Sequence, residues 1–419
     1  MKRKEEVKVI VLHPIDPYGS KIGGTGTFIN SFIQFSPPHF TVKFIGVSSD
    51  LFCRPANRWH MLKVGSKEFK FFPLFYEKNQ NIKKIIPLSL RYSMILRQKI
   101  GLLHEGVLFL NRIEPALVLK NGASTIVAVT HTDIESSLLS KNSEAMWRYF
   151  PSFYFYCEKL AFDKCDEIFS VSKKTVEFYQ QKYKERKKDF TFLTNPVNNE
   201  VFYPPEKFKS REPENAPYLP KELFHFKYWI LFAGRLQAVK DPFLLFKSFV
   251  ALPSEFRKKT ALILVGDGDL KSDLEAYISK TGFTEQVFFL GVLPQAQLVF
   301  LYQFSNLLIL TSHFEGMPMC LLEALACGTP AVSTSVGEVK KIIKSGITGE
   351  VVENYKPSSI SHAMFQVISN PKIYNRENCI SIASYFSPEK VLTPLYNSIE
   401  SLFLQNYRNP DKISRFNKK

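Results

Sequence analysis

Thr311-Ser312-His313-Phe314-Glu315-Gly316-Met317-Pro318-Met319-Cys320-Leu321-Leu322-Glu323-Ala324-Leu325-Ala326-Cys327-Gly328-Thr329-Pro330 follows directly on the apolar run Leu307–Leu310. A short run that is apolar at every position reads as a strand buried on both faces. Gly316 ends it in a turn, Pro318 sits where a first helical turn tolerates proline, and Gly328 with Pro330 closes the helix. Glu315 then lies on the loop at the strand's end and Glu323 lies eight residues on, within the helix. Carboxylates in such places accept hydrogen bonds from sugar or ribose hydroxyls. The start of the helix offers free N–H groups to a phosphate.

The same alternation extends through most of the chain. Val7–Leu12, Phe40–Val47, Val107–Leu110, Thr125–Val129 and Glu167–Val171 read as buried strands of a first domain. Tyr228–Ala233, Ala261–Val265, Val287–Leu290, Leu307–Leu310, Ala331–Ser333 and Glu350–Val352 form a second series. Between the two the chain is polar and rich in proline (Pro196, Pro204, Pro205, Pro213, Pro217, Pro220). The expectation is an α/β protein of two facing Rossmann-like domains with parallel sheets: 1–200, a linker over 201–227, and 228–387. A length of 419 residues at 48.2 kDa fits two domains. Ligands of such sheets bind beyond the carboxyl ends of the strands, so those junctions are where chemistry is sought.

Gly23-Gly24-Thr25-Gly26 opens a helix after the first strand, where glycine allows a close backbone approach to an anion. Its spacing is not that of a dinucleotide fingerprint, which disfavours NAD. Gly234-Arg235-Leu236 with Lys240 places two cations beside a helix start in the second domain, a setting for a departing diphosphate. Gly266-Asp267-Gly268-Asp269 could hold a divalent metal, but Asp is common in turns for local reasons, and no metal is expected. His131 follows a strand end of the first domain.

With 45% hydrophobic and 22% charged residues the chain is an ordinary globular one, not disordered, collagenous or of low complexity. The six cysteines show neither C-x-x-C nor metal spacing, so disulfide and zinc scaffolds are disfavoured and a reducing, cytoplasmic setting is expected. The apolar start Val7–Leu12 is too short for a signal peptide. The uncharged stretch from Gln286 to His313 is interrupted by Gly291, Pro294 and several Gln, and reads as two strands around a helix rather than a membrane span. Residues 1–200 carry 30 Lys and Arg against 19 Asp and Glu, a net +11 of the total +16. Within residues 54–99, apolar Ile85, Leu88, Met94 and Ile95 interleave with Lys83, Lys84, Arg91, Arg97 and Lys99. That pattern suits an anionic membrane surface or a solvated helix face, and no nucleic-acid motif accompanies it.

Taken together, these segments resemble the retaining glycosyltransferases of the GT-B fold, family 4. The resemblance rests on Gly23-Gly24-Thr25-Gly26, Gly234-Arg235-Leu236 with Lys240, Gly266-Asp267-Gly268, and Glu315/Glu323 with Gly328-Thr329-Pro330. Asn195 to Phe202 looks like that family's interdomain segment. Phe386-Ser387-Pro388-Glu389-Lys390 is similar to the start of its final helix, about 388–410, which crosses back onto the first domain. The resemblance implies transfer of a hexosyl unit from a UDP- or GDP-sugar to a saccharide or lipid-linked acceptor, without cofactor or metal. Such a reaction would serve cell-surface polysaccharide or glycolipid synthesis, at the inner face of the plasma membrane. It implies that Arg235 and Lys240 hold the diphosphate, Glu323 the ribose and Glu315 the transferred sugar. Gly316 and the backbone of Met319 and Cys320 would meet sugar and phosphate, and the chain near Leu293 the base. His131 would approach the sugar, and Gly23, Gly24 and Thr25 would line the phosphates and acceptor. Asp241 stands where that family often has glycine, with little consequence expected. A nucleotide-sugar epimerase of similar fold and an inactive partner subunit are the alternatives.

Overall fold

The computed structural model describes residues 5–19, 23–78, 86–103, 106–120, 124–131, 149–205 and 211–407. Its described residues fall into two compact units. One takes the chain up to Thr194 and again from Pro388, and the other takes Asn195–Ser387.

The first unit is built on eight strands: β1 (Val7–Leu12), β2 (Phe40–Ser48), β3 (His60–Val64), β4 (Lys67–Tyr76), β5 (Val107–Leu110), β6 (Ile126–Thr130), β7 (Glu167–Ser170) and β8 (Phe190–Phe192). Their order across the sheet is β3-β4-β2-β1-β5-β6-β7-β8. β1, β5 and β6 are buried along almost their whole length, because helices cover both faces of a parallel sheet. The sheet is parallel, as expected, except at one edge. β3 and β4 pair antiparallel through a tight turn in which Gly65 takes φ +57°, a conformation open to glycine at no steric cost. The sequence reading missed this hairpin because its solvent side carries Lys63, Glu68 and Lys70, which registered only as a charge cluster.

The interleaved helix of that cluster is partly buried. Leu88–Gln98 turns Tyr92 and Leu96 into the core and leaves Met94, Arg97 and Lys99 exposed. Arg91 is bound to Glu77 at 2.7 Å. Lys83, Lys84 and Ile85 lie outside the described residues.

The C-terminal helix Pro388–Tyr407 completes this unit, as expected. Leu392, Leu395 and Ile399 are fully buried, Tyr396 donates its hydroxyl to Phe32 O (2.8 Å), and Asn406 Nδ2 donates to Thr125 Oγ1 (2.9 Å). Burying each such aliphatic side chain contributes about 1.5–3 kcal/mol.

The second unit holds six parallel strands: β9 (Tyr228–Ala233), β10 (Thr260–Val265), β11 (Val287–Gly291), β12 (Leu307–Leu310), β13 (Ala331–Thr334) and β14 (Gly349–Val352). They are ordered β11-β10-β9-β12-β13-β14, each at the place the apolar runs predict. The stretch read as a linker packs on this unit. Leu219 and Leu223 are buried, Trp229 Nε1 donates to Leu223 O (3.1 Å), and Tyr218 donates its hydroxyl to Gln297 O (2.8 Å). Among the described residues no helix is long and apolar enough to cross a membrane. All six cysteines are free.

Candidate functional site

In the second sheet β9 and β12 lie side by side, while β9 connects onward to β10 and β12 to β13, on opposite sides. Chains leaving the carboxyl ends of two such strands diverge, and the crevice between them is where open α/β sheets bind ligands. The loop after β9 carries Arg235 and Lys240, and the loop after β12 carries Glu315.

These residues meet there. Lys240 Nζ is bonded to Glu315 Oε1, and Ser312 Oγ donates to the same oxygen at 2.7 Å. Burial works against the Lys240 charge, yet the Glu315 carboxylate more than offsets it and holds the pKa above the usual lysine value. Arg235 is exposed and close enough for its charge to act against that of Lys240, and no ion-pair partner meets it among the described residues.

Glu323, inside the helix Met319–Ala326, is almost fully buried and accepts a 2.8 Å hydrogen bond from the Tyr302 hydroxyl. Burial pushes its carboxyl up to about 7, with the Tyr302 bond pulling the other way. Met319 and Cys320 are the first two residues of the helix, so their N–H groups have no intrahelical acceptor. Burial drives the Cys320 thiol up to about 12, so it stays protonated; the charges of Lys240, Glu315 and Glu323 all reach it. Leu293 lies on the loop after β11, at the same end of the sheet.

The loops are tied together by bonds the sequence reading did not foresee. Asp241 takes a left-handed φ of +43°, which explains why glycine suits this position. Its carboxylate accepts from the Leu244 amide (2.9 Å), capping the helix Pro242–Val250, and lies 2.9 Å from His313 Nε2 on the β12 loop. Asp241 thus links the loop after β9 to the one after β12, a contact that its reading as a departure of little consequence did not include. Thr311 Oγ1 donates to Lys240 O (2.9 Å), and the His313 amide to Val239 O (2.8 Å). Asn195 Nδ2 donates to Met317 O at 2.9 Å. Gly316 O accepts from the Glu338 amide at 3.0 Å. Asp267 receives its own turn's Gly268 amide (2.9 Å), and among the described residues no three His, Cys, Asp or Glu side chains gather as metal ligands would.

Gly23, Gly24, Thr25 and His131 belong to the first unit. Gly23 caps the helix Gly24–Gln34, with Gly24 and Thr25 in its first turn. Phe28 of that helix packs edge-on against His131, with ring centres 4.9 Å apart. Burial lowers His131 to about 4, so it is neutral at physiological pH. Its Nε2 donates to Asn111 Oδ1 at 3.0 Å. Asn111 and His13, the residues just past β5 and β1, went unremarked in the sequence; the rule that strand ends carry chemistry would have found them.

Residues 220–384 match the family model described as glycosyl transferases group 1. Among curated proteins, D-inositol 3-phosphate glycosyltransferase 1 of Catenulispora acidiphila is 27% identical over 183 residues, 42% of each chain. The chain therefore spans less than half the length of that relative. Sucrose-phosphate synthase from Thermosynechococcus elongatus superposes with a TM-score of 0.74 at 15% identity, over 96% of this chain and 99% of that one. Anabaena HepE, solved in complex with UDP-glucose, gives 0.68 at 15%, over 94% and 99%. The fold is GT-B, and its second unit carries the glycosyl transferases group 1 match.

Proposed function

We propose that the chain is a retaining glycosyltransferase that moves a hexosyl unit from a UDP- or GDP-sugar to a saccharide or lipid-linked acceptor. The observation that carries this reading is the Lys240–Glu315 pair spanning the switch point of the second sheet, within the stretch that matches glycosyl transferases group 1. The UDP-glucose held by a protein of like fold supports a nucleotide-sugar donor.

In this reading Arg235 and Lys240 bind the donor diphosphate and neutralise the charge that grows as it leaves, the term that lowers the barrier most in such reactions. Holding Lys240 against Glu315 keeps its ammonium in place before the donor arrives. Glu323 accepts from the ribose hydroxyls and Glu315 from those of the transferred sugar, while the free amides of Met319 and Cys320 meet phosphate and sugar. His131, being neutral, can hydrogen-bond the sugar without attracting the phosphates. The acceptor hydroxyl attacks from the face the diphosphate leaves, which then takes its proton, with no metal in the step. The products serve cell-surface polysaccharide or glycolipid synthesis. Exposed Ile86, Met94, Arg97 and Lys99 support docking of the first unit on an anionic leaflet, each cation contributing roughly 1 kcal/mol.

The test incubates UDP-, GDP- and ADP-sugars with wild type and Glu323→Ala, following thermal shift and release of nucleoside diphosphate. One donor that stabilises the wild type and is turned over by it, but not by the variant, is expected. Epimerised donor instead of released diphosphate would favour the epimerase, and no response to any donor the inactive partner. Failure to pellet with anionic vesicles at low salt would remove the membrane reading.

A further inference from the structure

The first sheet has a switch point of its own. β1 and β5 are neighbours, with Leu12 paired to Leu110, while β1 leads on to β2 on one side and β5 to β6 on the other. The residues that follow the paired leucines are His13 and Asn111. They are 5% and 3% exposed, and each carries a buried polar atom without a hydrogen-bond partner: Nδ1 of His13 and Nδ2 of Asn111. Leaving such a group unpaired in a protein interior is costly, so two at one place point to a missing ligand.

The surroundings fix what that ligand must offer. The backbone of His13 is satisfied on both sides, its N–H by Ile45 O (3.3 Å) and its carbonyl by the Ile15 amide (2.9 Å), so only the imidazole is left over. Asn111 Oδ1 is taken by His131 Nε2, which leaves the amide nitrogen as a donor. Burial, then the charge of Arg112, then His131 hold the His13 pKa well below its ordinary value, so the ring is neutral and its free nitrogen can accept. An uncharged donor beside an uncharged acceptor suits neither a carboxylate nor an ammonium group. A hydroxyl satisfies both, accepting from the Asn111 amide nitrogen and donating to the free nitrogen of His13. Neighbouring strands lie about 4.8 Å apart, so side chains rising from adjacent strand ends can reach one oxygen atom.

We propose that His13 and Asn111 together bind one hydroxyl of a saccharide at the switch point of the first sheet. The hydroxyl chemistry follows from the two unpaired atoms, and its assignment to a saccharide rests on the glycosyltransferase reading. His131 acts here through Asn111, fixing which end of the amide meets the ligand.

Side-chain nitrogen resonances of full-length protein labelled with ¹⁵N-histidine test this, with His13 assigned through His13→Gln. The probes are glucose, galactose, mannose, N-acetylglucosamine and myo-inositol, each with and without UDP, and UDP-glucose alone. At least one probe should move the His13 signal saturably. Asn111→Ala should weaken that probe roughly tenfold while leaving UDP affinity within twofold. A shift with free saccharide identifies an acceptor hydroxyl, and a shift with UDP-glucose only identifies the donor's sugar. If UDP binds and no probe moves His13, an ordered water fills the site and the proposal is overturned. If UDP does not bind but a saccharide moves His13, the donor reading fails and the hydroxyl site stands. Should Asn111→Ala not fold, the wild-type titration decides alone.

Discussion

His313 Nε2 lies 2.9 Å from Asp241 Oδ2, so the loop after β12 is fastened to the one after β9 through a residue held at φ +43°. Asp241 does two jobs at once, since it also caps the helix Pro242–Val250. Asp241→Ala loses the cap and strains the backbone, and should cost about 2 kcal/mol. Asp241→Gly keeps the left-handed turn and should cost about half as much. Urea denaturation of the two variants measures this; an alanine variant as stable as wild type would refute it.

Lys240 and Glu315 are mostly buried, at 19% and 11% side-chain exposure, and each is the other's counter-charge. Removing one leaves the other unpaired, so Lys240→Met and Glu315→Gln should each lose about 2–4 kcal/mol. The double variant should lose clearly less than the sum. A double-mutant cycle reads the coupling, and additive losses would mean that the pair is not formed. Lys240→Met should also weaken UDP binding at least tenfold, whereas Arg235→Met should do so without loss of stability.

Glu323 titrates near pH 7 in the folded protein against an ordinary 4.5, because burial penalises its charge. Between those values the native state keeps a proton that the unfolded chain has released. Stability due to this group is therefore full below about pH 4.5 and declines as pH rises to 7, by about 3 kcal/mol in all. Glu323→Gln should gain on wild type across that window and hold its advantage at pH 8. Denaturation at pH 4.5, 6 and 8 checks the trend; a constant difference would show that Glu323 does not titrate there.

Gly337, at φ +49°, packs under the Glu315 loop. A Cβ placed there would lie 2.1 Å from Glu315 O and 2.4 Å from Gly316 O. Gly337→Ala should cost about 2–3 kcal/mol and lower turnover more than Asp241→Gly does, because the displaced loop carries Glu315 itself. Equal activity of Gly337→Ala and wild type would exclude this.

Tyr396 anchors the C-terminal helix to Phe32 O. Tyr396→Phe removes only the hydroxyl and should cost about 1 kcal/mol, leaving Phe32 O short of a donor. Tyr396→Ala also opens a void beside the Phe32 ring and should cost about 3–5 kcal/mol. Calorimetry should show the loss in the first unit's transition only.

Eleven strands were legible as apolar runs, since a strand covered on both faces must be apolar at every position. The edge hairpin β3–β4 was not, because at a sheet edge one face meets water and alternate charged residues hide the pattern. The sequence also supplied the residues of the second unit's candidate site, from glycine turns and the Glu315/Glu323 spacing, because those choices are made within one loop and one helix.

Pairing was beyond it. That Lys240 takes Glu315 as counter-ion, that Tyr302 reaches Glu323, and that Asp241 holds His313 depend on strands 60 or more residues apart becoming neighbours, or on a preceding helix folding back. Burial was equally hidden. His13 and Asn111 read as ordinary polar residues after a strand until the sheet order set them side by side and enclosed them. Sequence alone determined which residues could act, through local conformation and residue chemistry. Tertiary structure decided which are charged, which are neutral and which lack a partner, because pKa and hydrogen bonding depend on what the fold brings near and how much water it removes.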